Sequence, residues 1–186
     1  LRAACMRLGM KSIANMMWST QHASLHRRRP GRFGQWVTRL WQHSMATAHC
    51  AELLAETLRI PADSTAFLSA IVHDVGKLVL LDIISTKASA ALTEVARSLA
   101  GLREALDTYH PLVGLHVVQH LNLPGPARVA TLYHHAPDAV PGASLRRQLQ
   151  LLACADHLAR AFGYGLTDET CPAARDHPSV VAIGVT

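Results

Sequence analysis

The sequence predicts an all-α fold, and three observations carry that prediction. Apolar residues recur at helical spacing through most of the chain, and no segment shows the alternation of a strand. Hydrophobic residues make up 49% of the 186 positions but aromatics only 5%, so the core must be built from Ala, Leu, Val and Ile, which suits packed helices. Prolines and glycines cluster at Pro30-Gly31, Pro61, Pro124-Gly125-Pro126, Pro137 to Gly142 and Gly163 to Pro172, between the periodic stretches.

The elements follow in order. A short helical lobe is expected over about 1–20, and residues 1–30 form an N-terminal lobe ending in the basic loop Arg27-Arg28-Arg29. The main helical domain is assigned to 31–165 and a C-terminal extension to 166–186. From His43 to about Leu58, the apolar Ala46, Cys50, Leu53, Leu54 and Leu58 predict a helix with Glu52, Glu56 and Arg59 on its other side. Asp63 is a candidate N-cap for a central, buried helix running through Ala66–Val72 and on to Leu78–Leu81. A third helix is expected to start at Pro111, a favoured first-turn position, and to end near Leu121. The last long helix is expected from Ser144 to Gly163, with Leu145, Leu149 and Leu152 facing inward.

Charge is uneven. Eight Lys or Arg and no Asp or Glu precede Glu52, leaving ten basic against thirteen acidic residues beyond it. Such a basic third can meet nucleic acid, an acidic partner or a phosphorylated ligand, but the simpler reading is a solvated face plus one arginine-rich loop. Nucleic acid is accordingly not expected as a partner. Cys5, Cys50, Cys154 and Cys171 form no C-x-x-C pair, which fits reduced thiols in a cytoplasmic protein better than a zinc knuckle or a disulfide framework. No apolar run reaches the length of a membrane span. The opening Leu1-Arg2-Ala3-Ala4 has no initiator Met, and the chain is expected to be a piece of a longer one.

Polar residues on the inward stripes point to chemistry. His43 stands three and seven residues before Ala46 and Cys50; His73 and Asp74 interrupt the most apolar helix, with Lys77 one turn on; Asp156 continues the stripe of Leu145, Leu149 and Leu152. One inward His is ordinarily a hydrogen-bonded core residue, and His73-Asp74 alone would fit a structural pair with Asp74 answering Lys77. Three helices each sending a His or Asp into one core is better explained by a shared divalent cation, since burying those groups without partners costs several kcal/mol. His110 and the pair His134-His135 are further candidates. His49 is expected in solvent beside Glu52 and Glu56, and His116 and His120 on an exposed helix edge. His22, His26, His157 and His177 join no constellation, and Trp18, Trp36 and Trp41 are expected to pack between lobes.

Taken together, His43-Ser44, Val72-His73-Asp74-Val75-Gly76-Lys77, Tyr109-His110-Pro111-Leu112-Val113-Gly114, Tyr133-His134-His135 and Ala155-Asp156 resemble the HD superfamily of metal-dependent phosphohydrolases. The order of these motifs resembles more narrowly its HDOD branch, a bacterial signalling domain related to the HD-GYP cyclic di-GMP phosphodiesterases. Leu40-Trp41-Gln42 before His43, Leu121-Asn122-Leu123-Pro124 and Arg7-Leu8-Gly9-Met10 add to the likeness, which runs from about residue 3 to 165.

The resemblance implies an HD-like helical bundle with two divalent ions, iron or manganese in preference to zinc. His43, His73, Asp74 and Asp156 would hold one ion, and Asp74 would bridge to a second held by His110, His134 and His135. Asp74 and Lys77 would carry the catalytic roles, Lys77 contacting a phosphate of a phosphoester or nucleotide ligand. Two departures narrow the expectation. Arg39 stands where three-metal relatives carry Glu, so no third ion is expected. Ala136 to Gly142 lacks a Gly-Tyr-Pro motif, so cyclic di-GMP hydrolysis is not expected, whereas another phosphoester is. The alternative implied by the same family is a non-catalytic regulatory module that binds a protein partner in signalling.

Overall fold

The computed structural model describes residues 33–60, 65–86, 94, 98–166 and 177–184, and these form helices with no strand among them. The expected N-terminal lobe, the loop Arg27–Arg29, Trp18, His22, His26, Cys5, Cys171 and the candidate cap Asp63 lie outside the described residues.

Helix α1 spans Gly34–Thr57, α2 Ala66–Val72, α3 Val75–Thr86, α4 Leu99–His120, α5 Gly125–Tyr133, α6 Ala143–Ala159 and α7 Pro178–Ile183. A 3-10 turn at Pro137–Ala139 precedes α6, and a π turn at Arg160–Tyr164 follows it. Helix α1 packs against α2 and α6, α3 lies along α4, α5 fills the space beside α2 and α4, and α7 lies on α6.

The apolar core is divided, and the division positions the site. One cluster gathers Phe67, Ile71, Val118, Ala127, Leu149 and Leu152. A second gathers Phe33, Val37, Leu40, Leu78, Leu81 and Leu106. Along α1 the buried residues pass from Val37 and Leu40 of the second cluster, through His43, to Ala48 and Ala51 of the first. Along α4 they pass from Leu102 and Leu106, through His110, to Val118. The α2–α3 unit runs the other way, from Phe67 and Ile71 through His73 and Asp74 to Leu78 and Leu81. Three polar positions thus meet in one layer between two apolar ones.

Several expectations change. The α4 helix begins at Leu99, twelve residues before Pro111, because Ser98 caps it: its Oγ accepts the Gly101 N–H at 3.0 Å. Pro111 therefore lies inside the helix, where it removes one backbone hydrogen bond at a cost of about 3 kcal/mol. The row Leu102, Leu106, His110, Gly114 and Val118, spaced four residues apart and all buried, offsets that loss by packing. The expected central helix is two helices, broken at His73-Asp74. Helix α5 starts inside the expected break Pro124-Gly125-Pro126; Pro126 sits in its first turn, where a missing N–H costs nothing. On α1 the inward stripe is Val37, Leu40, Ser44, Ala48, Ala51 and Ala55, and Leu53 is 63% exposed. Leu54 and Leu58 are half-buried against the core, and the small Ser44, Ala48, Ala51 and Ala55 take the inward positions where α2 and α6 approach closely.

Gly76 and Gly114 explain how α3 and α4 come so near. A Cβ on Gly76 would run into the carbonyl oxygen of His110 and stand 2.7 Å from the Gly114 nitrogen, and one on Gly114 would stand 2.6 Å from the Thr131 side chain. The two glycines let the backbones touch, which brings Asp74 beside His110.

Candidate metal centre

Seven polar side chains converge in the middle layer. His43 comes from α1, His73 and Asp74 from the α2–α3 break, His110 from α4, His134 and His135 from the end of α5, and Asp156 from α6. His73, His110 and His134 are fully buried, and Asp74 is 2% exposed. The break at His73-Asp74 matters because it turns both consecutive side chains into the interior.

The backbone fixes how four of the imidazoles present themselves. His73 donates its Nδ1–H to the Ala70 carbonyl at 2.7 Å, His110 to Leu106 at 2.8 Å, His134 to Ala130 at 3.0 Å, and His43 to Tyr164 at 3.0 Å. A carbonyl can only accept, so Nδ1 carries a proton in all four; in His73, His110 and His134 the neutral ring then turns its Nε2 lone pair to the centre, while His43 Nε2 faces Asp156. Burial pushes His73 down to about 3 and His110 down to about 4, with the Asp74 carboxylate pulling the other way, so both rings are neutral at physiological pH.

Asp74 lies between two groups. Its Oδ1 is 3.2 Å from His110 Nε2 and 3.6 Å from His134 Nε2; its Oδ2 is 3.5 Å from His73 Nε2 and 3.6 Å from His43 Nε2. Asp156 Oδ1 stands 3.1 Å from His43 Nε2 and 4.0 Å from His73 Nε2. Burial opposes ionisation of both carboxylates, but it is outweighed. The Lys77 ammonium, 2.8 Å from Asp74 Oδ2, leads for Asp74; the hydrogen bond with His43 and the Arg160 guanidinium lead for Asp156. Both carboxylates are held well below the usual range.

The arrangement is what a cation demands. His110 Nε2 lies 3.2 Å from both His134 Nε2 and His135 Nε2, so lone pairs meet with no proton between His110 and His134. His73 Nε2 and Asp74 Oδ1 have no hydrogen-bond partner although both are buried, a cost of about 1–3 kcal/mol each. All donors are imidazole nitrogens or carboxylate oxygens, with no thiolate, and they fall into two sets: His43, His73 and Asp156, and Asp74, His110, His134 and His135. These residues fit divalent metal ions, with Asp74 able to serve both sets.

All seven metal candidates read from the sequence are therefore brought together. Lys77, nine-tenths buried, sits on the Asp74 side and also lies 3.8 Å from Asp107. His49 is exposed beside Glu52 at 3.7 Å, and His116 and His120 are exposed as expected. Trp36 packs edge-on against Phe33, with ring centroids 6.3 Å apart.

Two placements were missed. Arg160, one turn after Asp156, forms an ion pair with it; the i,i+4 spacing was the available signal. His157 is buried and lies flat on His177, with ring centroids 3.6 Å apart and planes at 11°. No sequence spacing could announce that pair, because its members meet only when α7 folds onto α6. A cleft of about 530 Å³ opens beside the centre, lined among others by His134, His135, Asp156, Arg160 and His177. No described helix is long and apolar enough to cross a membrane.

Comparison with known proteins agrees with this architecture. The family model for the HDOD domain matches residues 1–137. No curated protein matches the chain. A solved structure, an HDOD domain protein with unknown function from Geobacter sulfurreducens, superposes with a TM-score of 0.72 at 22% identity, covering 98% of this chain. The chain spans 63% of the length of that structure, and the likeness is one of fold. With the family match extending over most of its length, the chain belongs to the HDOD domain family.

Proposed function

We propose that this chain is a metal-dependent phosphohydrolase or phosphodiesterase of bacterial signalling, working with two divalent ions, iron or manganese in preference to zinc. The observation that carries the reading is the inward set of Nε2 lone pairs around one carboxylate, with His110 and His134 facing each other at 3.2 Å. His43, His73, Asp156 and Asp74 would hold one ion, and Asp74, His110, His134 and His135 the other. Bound divalent ions supply Lewis acidity toward a phosphoryl oxygen and lower the pKa of water.

The chain's own residues then have defined work. Backbone carbonyls hold Nδ1–H of His43, His73, His110 and His134, so these ligands need not reorganise. Lys77 holds Asp74 ionised and stands ready to answer negative charge developing on the phosphoryl group. Overall, a water oxygen bonds to phosphorus, the ester P–O bond breaks, and the water's proton ends on the leaving alcohol. The surrounding apolar layers keep bulk water from the buried face.

The test is elemental analysis of protein purified without chelator or His-tag, followed by a phosphoester screen with Asp74→Ala as the blank. About two iron or manganese ions per chain and turnover lost in the variant support the reading. Metal without turnover of any phosphoester would favour the non-catalytic regulatory module. A folded chain that takes up no iron or manganese overturns the metal centre.

A further inference from the structure

Arg160 and His177 are two of the polar residues in the cleft beside the centre that the metal cluster does not use. The Arg160 guanidinium spends a bond on Asp156 Oδ2, yet its side chain stays 41% exposed, and four further N–H groups remain on the fork. His177 precedes α7. Its Nδ1 faces Ser179, 3.3 Å from the backbone N–H and 2.7 Å from the hydroxyl; accepting from both leaves the proton of the neutral ring on Nε2. Stacking on the buried His157 holds that ring in place. Small apolar residues, among them Ala136, Pro137, Ala153, Pro178 and Ala182, supply much of the wall, and Asp138 at its edge accepts the Gln150 amide at 3.0 Å. Lys77, the cation of the His-Asp motif, does not line this cleft.

We propose that Arg160 and His177 are the pair that recognises the phosphoester, their N–H groups donating to phosphate oxygens while the small apolar wall takes an uncharged organic part of about nucleoside size. The inference rests on the phosphoester reading for its ligand class, but the groups that bind are the chain's own. A volume of about 530 Å³ suits a small ligand of this kind, for which sites run about 300–1,000 Å³. A guanidinium offers phosphate the planar fork that an ammonium cannot. Both residues lie beyond residue 137, outside the stretch that the family match covers, so ligand choice resides in a part of the chain that the match does not describe.

The experiment is calorimetric titration of adenosine 5′-monophosphate and of inorganic phosphate into the full chain, with metal content measured on every sample. Arg160→Met keeps the stem and removes the fork; His177→Phe keeps a ring on His157 and removes the donor. Each should weaken adenosine 5′-monophosphate binding about tenfold or more, while exposed His120→Gln binds like the parent. If Arg160→Met also loses metal, His177→Phe decides. Parent-like affinity in His177→Phe, or no binding of either probe to the parent, overturns the proposal. Retained metal with parent-like affinity in both variants sinks the recognition pair alone; a metal-free parent that still binds through Arg160 and His177 sinks the metal centre alone.

Discussion

The two groups of histidines on either side of Asp74 differ in what else they contain. His43 and His73, from the successive helices α1 and α2, share a carboxylate of their own, Asp156, supplied from the distant α6. His110, His134 and His135 have only Asp74, and His135 is open to the cleft. A dication in the first group would meet two carboxylates, whereas one in the second would share a single carboxylate and lean on three imidazoles. The same count of ligands therefore need not mean the same affinity: charge and burial favour the first position, and access favours the second. On the proposed chemistry, the first set would hold its ion more tightly, and a ligand in the cleft would meet the first set through Asp156 and the second through His134 and His135.

The largest expected effect removes the distinction. Asp74→Ala should lose both ions and leave Lys77 buried without its main partner, a destabilisation of about 3–5 kcal/mol; elemental analysis beside a thermal melt reads both, and unchanged metal content would break the idea of a shared carboxylate. Next comes Gly76→Ala, which forces α3 from α4 and should cost about 1–3 kcal/mol or more, with the ion beside His110 lost before the one beside His43. Equal loss of both ions would show that the groups do not act separately. A finer contrast sets His43→Ala against His135→Ala. The first should remove about one ion per chain even in excess metal; the second should keep both at saturation and weaken one by at least the roughly tenfold that losing an outer partner costs. Metal titration monitored by calorimetry distinguishes them. Smallest is Ser98→Ala, which strips the α4 cap for about 1 kcal/mol and should lower the melting temperature with metal content unchanged.

Legibility followed the range of the interactions. His43, His73, Asp74 and Asp156 stood out because each breaks or extends an apolar stripe, a pattern visible within one helix. His110 and the His134-His135 pair were candidates without a stripe to place them, and only the resemblance assigned them to a second ion, since periodicity did not place their surroundings. Pro111 misled because a local preference for first turns lost to the Ser98 cap and to a buried row spaced four residues apart. Leu53 of α1 misled for a related reason: two helices approach α1 closely, and the small Ala48, Ala51 and Ala55 take the inward positions between them.

By itself, the sequence determined the helical class, the family and the chemistry available in the core, because composition, periodicity and motif order are properties of the chain alone. Tertiary structure decided the rest. It turned His73 and Asp74 inward by breaking a helix, brought α3 onto α4 through two glycines, and placed Arg160 and His177 on one cleft. Those outcomes depend on contacts between segments distant along the chain, and no local pattern encodes which backbone carbonyl or which ring will be waiting there.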